Sequence, residues 1–323
     1  MKSSKFYNLI FTLACVVLCS NHAYTQSLLP VNYNQSNTAV LYNPAAWNTD
    51  ILKYPFLPSH SLGLQARKQW VGIEAAPQNY FLGYDLMKPK NMIFGIGVLN
   101  DEYGPFNTFS FSTRIAYRKF VNEKSFFSIG FLGSYSSQKY NPANFSIAQA
   151  NDLIVGNSDL FSNISVGTGL SFSNNISTTS NFTIGIALMN AAKVNLGKKA
   201  IGPNVPVISF HTQYFKFYSE DYKRLSYIEI KTFSKINYQF LLDQDVYFKY
   251  QHKGLIGFAP GFRIAYSDKF ALTAFHFDLG LPIGNYFAKE KFSIDLNYSF
   301  EYPLNNIKSI STQSHEIGLA FLF

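Results

Sequence analysis

Cysteine is almost missing from this chain of 323 residues: there are two, Cys15 and Cys19. Lys2 and Lys5 precede an apolar stretch from Phe6 to Leu18, broken only by Asn8 and Thr12, and the chain turns polar at Ser20-Asn21-His22. That stretch is shorter than the ~20 apolar residues a helix needs to span a bilayer. It reads as a cleaved signal peptide over residues 1–25, with cleavage after Ala23 or Thr25. Cys19 makes a poor lipoprotein site, because Leu18 stands where a small residue is expected. Both cysteines would leave with the signal peptide, so disulfides and thiolate metal sites are excluded from the mature chain.

Charge is the next scarcity. Charged residues make up 14% of the chain, against roughly 25% in an ordinary soluble domain. Without Lys2 and Lys5 there are 25 basic residues against 19 acidic ones, an excess of six scattered along the chain. No basic cluster with interleaved aromatics marks a nucleic-acid surface. After residue 25 no run approaches the ~20 apolar residues of a membrane helix. Tryptophan occurs twice, yet there are 22 Tyr and 32 Phe. Few charges, many aromatics and no apolar helix together suit strands that are apolar on one face only, as in a transmembrane barrel.

Period-two alternation is what the chain has in abundance. In Lys291 to Tyr302, Phe292, Ile294, Leu296, Tyr298, Phe300 and Tyr302 face one way and Ser293, Asp295, Asn297, Ser299 and Glu301 the other. The chain closes on Glu316-Ile317-Gly318-Leu319-Ala320-Phe321-Leu322-Phe323, with an aromatic last residue. Ile317, Leu319, Phe321 and Phe323 share a face, since successive strand side chains alternate sides. That ending is similar to the C-terminal signal of bacterial outer-membrane barrels. Segments of this type fall at 60–68, 78–86, 91–100, 107–119, 125–137, 162–173, 181–190, 205–218, 225–234, 238–251, 256–267, 270–280, 290–302 and 313–323. In lipid every backbone polar group needs a partner, so such strands must close on themselves. The expected fold is therefore all-β: an antiparallel transmembrane outer-membrane β-barrel of about 14 strands over residues 59–323. Residues 26–58, rich in Asn, Pro and Tyr, form a preceding segment within or beneath the lumen.

Chemistry is thinly represented. His60, His211, His252, His276 and His315 are isolated in sequence, and no nucleophile elbow, metal-binding helix or phosphate loop occurs. No catalytic, cofactor or metal residues are expected, and the chain is not read as an enzyme. Asp295, Glu301, Arg114, Arg118, Arg263 and Glu316 fall at lumen-facing positions, where they can pair. Two connections stand out. Arg67-Lys68-Gln69-Trp70-Val71-Gly72-Ile73-Glu74-Ala75-Ala76-Pro77-Gln78 places cations, Trp70 and Glu74 in an exposed loop, where binding residues concentrate. The same residues equally suit an interfacial aromatic belt, with the cations at headgroup level. Asn100-Asp101-Glu102-Tyr103-Gly104-Pro105 reads as a turn between the third and fourth strands.

These segments resemble the PorP/SprF family of type IX secretion system membrane proteins. Tyr42-Asn43-Pro44-Ala45 matches the family's Tyr-Asn-Pro-Ala element, and Arg67 to Gln78 its Arg-Lys-Gln-Trp block. Asn100-Asp101 with Gly104-Pro105 matches the Asn-Asp-x-x-Gly-Pro loop, and Ser314-His315-Glu316 opens the last strand as in the family. Ala75 and Ala76 stand where glycine is often found. The resemblance implies an outer-membrane barrel in contact with the lipid bilayer and partnered by type IX components. It also implies one large secreted surface protein, such as a gliding adhesin, exported or anchored through its C-terminal domain. Arg67, Lys68, Trp70, Glu74, Asn100 and Asp101 are the expected partner-binding residues. The contrasting reading is an outer-membrane channel or transporter for small or lipid-like solutes.

Overall fold

A computed structural model describes residues 41–47, 59–73, 75–88, 91–140, 159–177, 179–196, 206–218, 226–237, 242–253, 255–266, 270–283, 292–304 and 313–323. The expected signal peptide, Glu74 and most of residues 26–58 lie outside them. Among the described residues fourteen strands run in order: β1 His60–Lys68, β2 Gln78–Lys88, β3 Met92–Tyr103, β4 Phe106–Phe120, β5 Ser125–Tyr140, β6 Asp159–Ser177, β7 Ser180–Asn195, β8 Val207–Phe217, β9 Tyr227–Asn237, β10 Leu242–His252, β11 Ile256–Tyr266, β12 Phe270–Pro282, β13 Ser293–Pro303 and β14 Ser314–Leu322. Each pairs antiparallel with its sequence neighbour, and β1 pairs with β14, so the sheet is a closed barrel. Closure leaves no strand edge unpaired, the condition for standing in lipid.

The packing is the reverse of a soluble core. Leu64, Phe94, Phe111, Phe131, Phe275 and Ile317 point outward and are exposed, whereas Gln65, Arg114, Ser171, Asp245, Arg263 and Glu316 are buried inside. Along β13, Ser293, Asn297, Ser299 and Glu301 are buried, and Tyr302, with Phe292 just before the strand, is exposed, as the alternation requires. The closing seam is held at its end as well as along its ladder. Ser59 and His60 donate backbone hydrogen bonds to the Phe323 carbonyl at 2.9 and 2.8 Å. The His60 and Phe323 rings stack with centroids 5.1 Å apart.

Several strands exceed their sequence-based limits for identifiable reasons. β7 runs on to Asn195 because Asn190, at φ 54°, forms a bulge where the β6–β7 register shifts between Val166 and Thr168. The bulge interrupts the alternation without ending the pairing. β10 carries Asp243 and Asp245 and pairs continuously with β9. Its acidic residues are simply the inward set. β3 continues to Tyr103, so Asn100 and Asp101 are strand residues and the turn is confined to Gly104-Pro105. The chain passes from β3 to β4 at Gly104, whose φ is 57°.

Candidate functional site

Three of the four motif segments meet at one end of the barrel, across β14, β1, β2 and β3. β1 alternates without interruption up to Lys68, so Arg67 has the inward parity of Ser61 and Gln65. Arg67 was expected in an exposed loop; it is instead buried at 3% exposure. Its Nη2 donates to Glu301 Oε2 at 3.0 Å, and its Nε stands 3.8 Å from Glu316 Oε2. Gln65 Nε2 donates to the other Glu316 oxygen. The carboxylates of β13 and β14 thus draw Arg67 into the lumen. Lys68, its neighbour of opposite parity, is exposed on the outer wall.

The connection that follows is folded rather than draped. Gln69 N donates to Pro77 O at 2.8 Å, closing the base. Trp70 N donates to Ser314 Oγ at 3.3 Å and Val71 N to Gln313 O at 3.0 Å, tying the loop to the start of β14. Gly104 N donates to Ala75 O at 3.1 Å, tying it to the β3–β4 turn. Trp70 and Ala75 have φ of 49° and 52°, and Gly72 has 99°. A left-handed backbone at two non-glycine residues costs energy, and such strain persists only where surrounding contacts impose it. A Cβ on Gly72 would meet nothing within 4 Å, so its backbone angle, and not space, demands glycine.

Beside the loop, outward-facing side chains form a hydrogen-bonded polar cluster. Glu102 accepts hydrogen bonds from Gln78 Nε2 at 2.7 Å, from Asn100 Nδ2 at 2.9 Å and from Asn107 Nδ2 at 2.9 Å. Asp101 has the opposite parity and registers with the inward Asn79, which in turn registers with Arg67. The expected partner-binding residues therefore divide. Lys68 and Asn100 face outward, Trp70 belongs to the folded loop, and Arg67 and Asp101 face the lumen. Glu102, which organises three neighbours, escaped the sequence reading because nothing in one strand shows that Gln78 and Asn107 register alongside it.

The fourth motif lies deeper. Residues 41–47 occupy the lumen, where Tyr42, Asn43, Ala45 and Trp47 are buried. Arg114 holds Asp85 in a paired contact, Nη2 to Oδ2 at 2.6 Å and Nε to Oδ1 at 3.0 Å, and Arg114 Nη1 reaches Ala46 O at 3.0 Å. Across the barrel, Arg263 Nε donates to Asp245 Oδ1 at 2.8 Å while its Nη1 stands 3.3 Å from Glu301 Oε2. His276 lies 3.2 Å from each of those two carboxylates. A cavity of about 230 Å3 remains on the loop side of Tyr42, bordered by Ser110, Met189, Ser209, Phe233 and Lys235.

A family model described as type IX secretion system membrane protein PorP/SprF matches residues 26–321. The chain belongs to the PorP/SprF family. No curated protein sequence matches it. Among solved structures it is similar to the CymD monoaromatic hydrocarbon channel, with TM-score 0.53 and 12% identity over 91% of this chain and 94% of that one. It is also similar to the Ralstonia pickettii toluene transporter TbuX, with TM-score 0.51 and 11% identity over 88% and 93%. At such identities the likeness is one of fold. Within this PorP/SprF chain, the Arg-Lys-Gln-Trp block, the Asn-Asp-x-x-Gly-Pro loop and the Ser-His-Glu start of β14 form one structural unit. Ser314 braces the loop and Glu316 receives Arg67.

Proposed function

We propose that this PorP/SprF protein is an outer-membrane component of type IX secretion that holds one large secreted surface protein at its loop end. The carrying observation is the folded segment 69–77, fixed at Gln313, Ser314 and Gly104 and flanked by the Glu102 cluster. A preorganised surface loses little conformational freedom when a partner docks, which favours binding over a mobile loop. Trp70 supplies an aromatic anchor of the kind that dominates interfaces, and Lys68 and Asn100 supply outward polar contacts. Glu74 joins them on sequence grounds. Arg67 and Asp101 act from behind, as supports of the rim. In this arrangement the end that carries the 69–77 loop faces outward, where an exported C-terminal domain arrives.

The test is affinity purification from the native outer membrane, comparing the wild type with Lys68→Glu and Trp70→Ala. The expected result is a large surface protein or type IX component with the wild type and its loss with both variants, while the folded barrel persists on unheated gels. Recovery of neither class of protein with the wild type sinks the reading. A solute channel is the competing reading, and it requires a continuous lumen.

A further inference from the structure

We infer that residues 41–47 are a bolt that seals the lumen, so that the barrel is a closed receptor and not a conduit. The segment is itself a locked turn. Ala46 N donates to Asn43 O at 3.0 Å, and Ala45 N donates to Asn43 Oδ1 at 2.9 Å. Asn at the first position and Pro at the second are the residues a turn of this kind favours. Asn43 is completely buried, and its Nδ2 donates to the carbonyls of Leu170 at 3.2 Å and Ile186 at 3.4 Å.

The wall is shaped to receive this turn. Ser209 Oγ donates to Tyr42 O, Ser171 Oγ to Ala45 O at 3.2 Å, and Arg114 Nη1 to Ala46 O at 3.0 Å. A Cβ on Gly130 would overlap the backbone of Pro44 and Ala45, and one on Gly169 would overlap the Asn43 side chain. Glycine at these two strand positions lets the turn's backbone and the Asn43 side chain approach the wall. At one end Tyr42 meets Phe233 edge-on, with centroids 4.6 Å apart. At the other, Trp47 packs on Met87, Ile93 and Ala116, and the Arg118 guanidinium lies 4.0 Å over its ring.

These contacts line the lumen from β2 round to β9. The remaining arc, β10 through β14 to β1, is filled by Asp245, Arg263, His276, Glu301, Glu316 and Arg67. The two halves abut, because Phe233, which touches Tyr42, is the register partner of Asp245. The side chains of Arg67, Arg114, Arg263, His276 and Glu301 are no more than 5% exposed. A water column at this level would leave such charges wet. They are instead enclosed by the wall and paired across it, Arg67, Arg263 and His276 with Glu301 and Arg114 with Asp85. The cavity beside Tyr42 is then a blind recess, with the bolt as its floor.

The test combines conductance and cross-linking on the full chain. Purified wild type in planar bilayers is expected to give no channel steps. Gly130→Leu and Gly169→Leu, which leave no room for the turn, are expected to give discrete steps while keeping the mobility of a folded barrel. Should either fail to fold, deletion of residues 41–47, which needs no added space, is expected to conduct. The pair Ala45→Cys with Ser171→Cys is expected to cross-link on oxidation in intact membranes. Channel steps in the wild type overturn the inference. So do folded wedge or deletion variants that stay silent, and so does failure of the pair to cross-link.

Discussion

Arg114 shows what a buried charge does in this lumen. It neutralises Asp85 and its Nη1 also reaches Ala46, so one guanidinium joins wall to bolt. Removing one partner of a buried pair strands the other. Arg114→Met is therefore expected to destabilise the barrel by about 3–5 kcal/mol, read from urea unfolding in micelles. Adding Asp85→Leu should recover most of that loss, because an apolar pair leaves no charge unpaired. If the double variant is no better than the single one, the pair is not what Arg114 stabilises. Gly72 is a different case, constrained by backbone angle alone. Gly72→Ala is expected to cost about 1–2 kcal/mol, confined to the 69–77 loop. Faster proteolytic nicking there, with an unchanged unfolding midpoint for the barrel, is the signature to look for.

At the scale of elements, β14 carries the membrane argument. Ile317, Leu319, Phe321 and Phe323 face outward, and Ser314, Glu316, Ala320 and Leu322 are buried inside. Leu319 stands well within the strand and Phe323 ends the chain at the His60 seam. Leu319→Arg is expected to cost about 2–4 kcal/mol, and Phe323→Arg roughly 1 or less, because the cost of a lipid-facing charge falls towards the interface. Folded fraction in lipid vesicles at increasing urea measures both. Equal costs at the two positions would place lipid elsewhere than the outer wall. The strand pattern was legible because alternation is local: β1 ends at Lys68 in both sequence and structure. The 69–77 loop was legible only as a motif. What folds it is Ser314 and Gln313, which stand more than two hundred residues away along the chain. Arg67 was misplaced for a related reason. A cation beside Trp70 looks exposed until Glu301 and Glu316 are brought opposite it.

For the whole molecule, the barrel and its bolt are separable in principle. Closure rests on the β1–β14 ladder, from Ser61 with Leu322 to Lys68 with His315, and residues 41–47 take no part in it. Deletion of residues 41–47 is expected to leave a closed, heat-modifiable barrel with a lower urea midpoint. Loss of Trp47 packing alone accounts for about 3–5 kcal/mol. Failure of the deleted chain to form any folded band would make the bolt part of barrel assembly instead.

The sequence by itself determined the fold class, the strand count and the inward or outward face of most strand residues. Backbone pairing in lipid and two-residue alternation are dictated locally, so they can be read from one strand at a time. Only the tertiary structure decided where Arg67 and Asp101 point, that Glu102 gathers three amides, and that Tyr42–Trp47 lies within the lumen and not beneath it. Those facts depend on register between strands and on contacts that span the barrel. Side chains remote in sequence become neighbours there only after β1 has met β14.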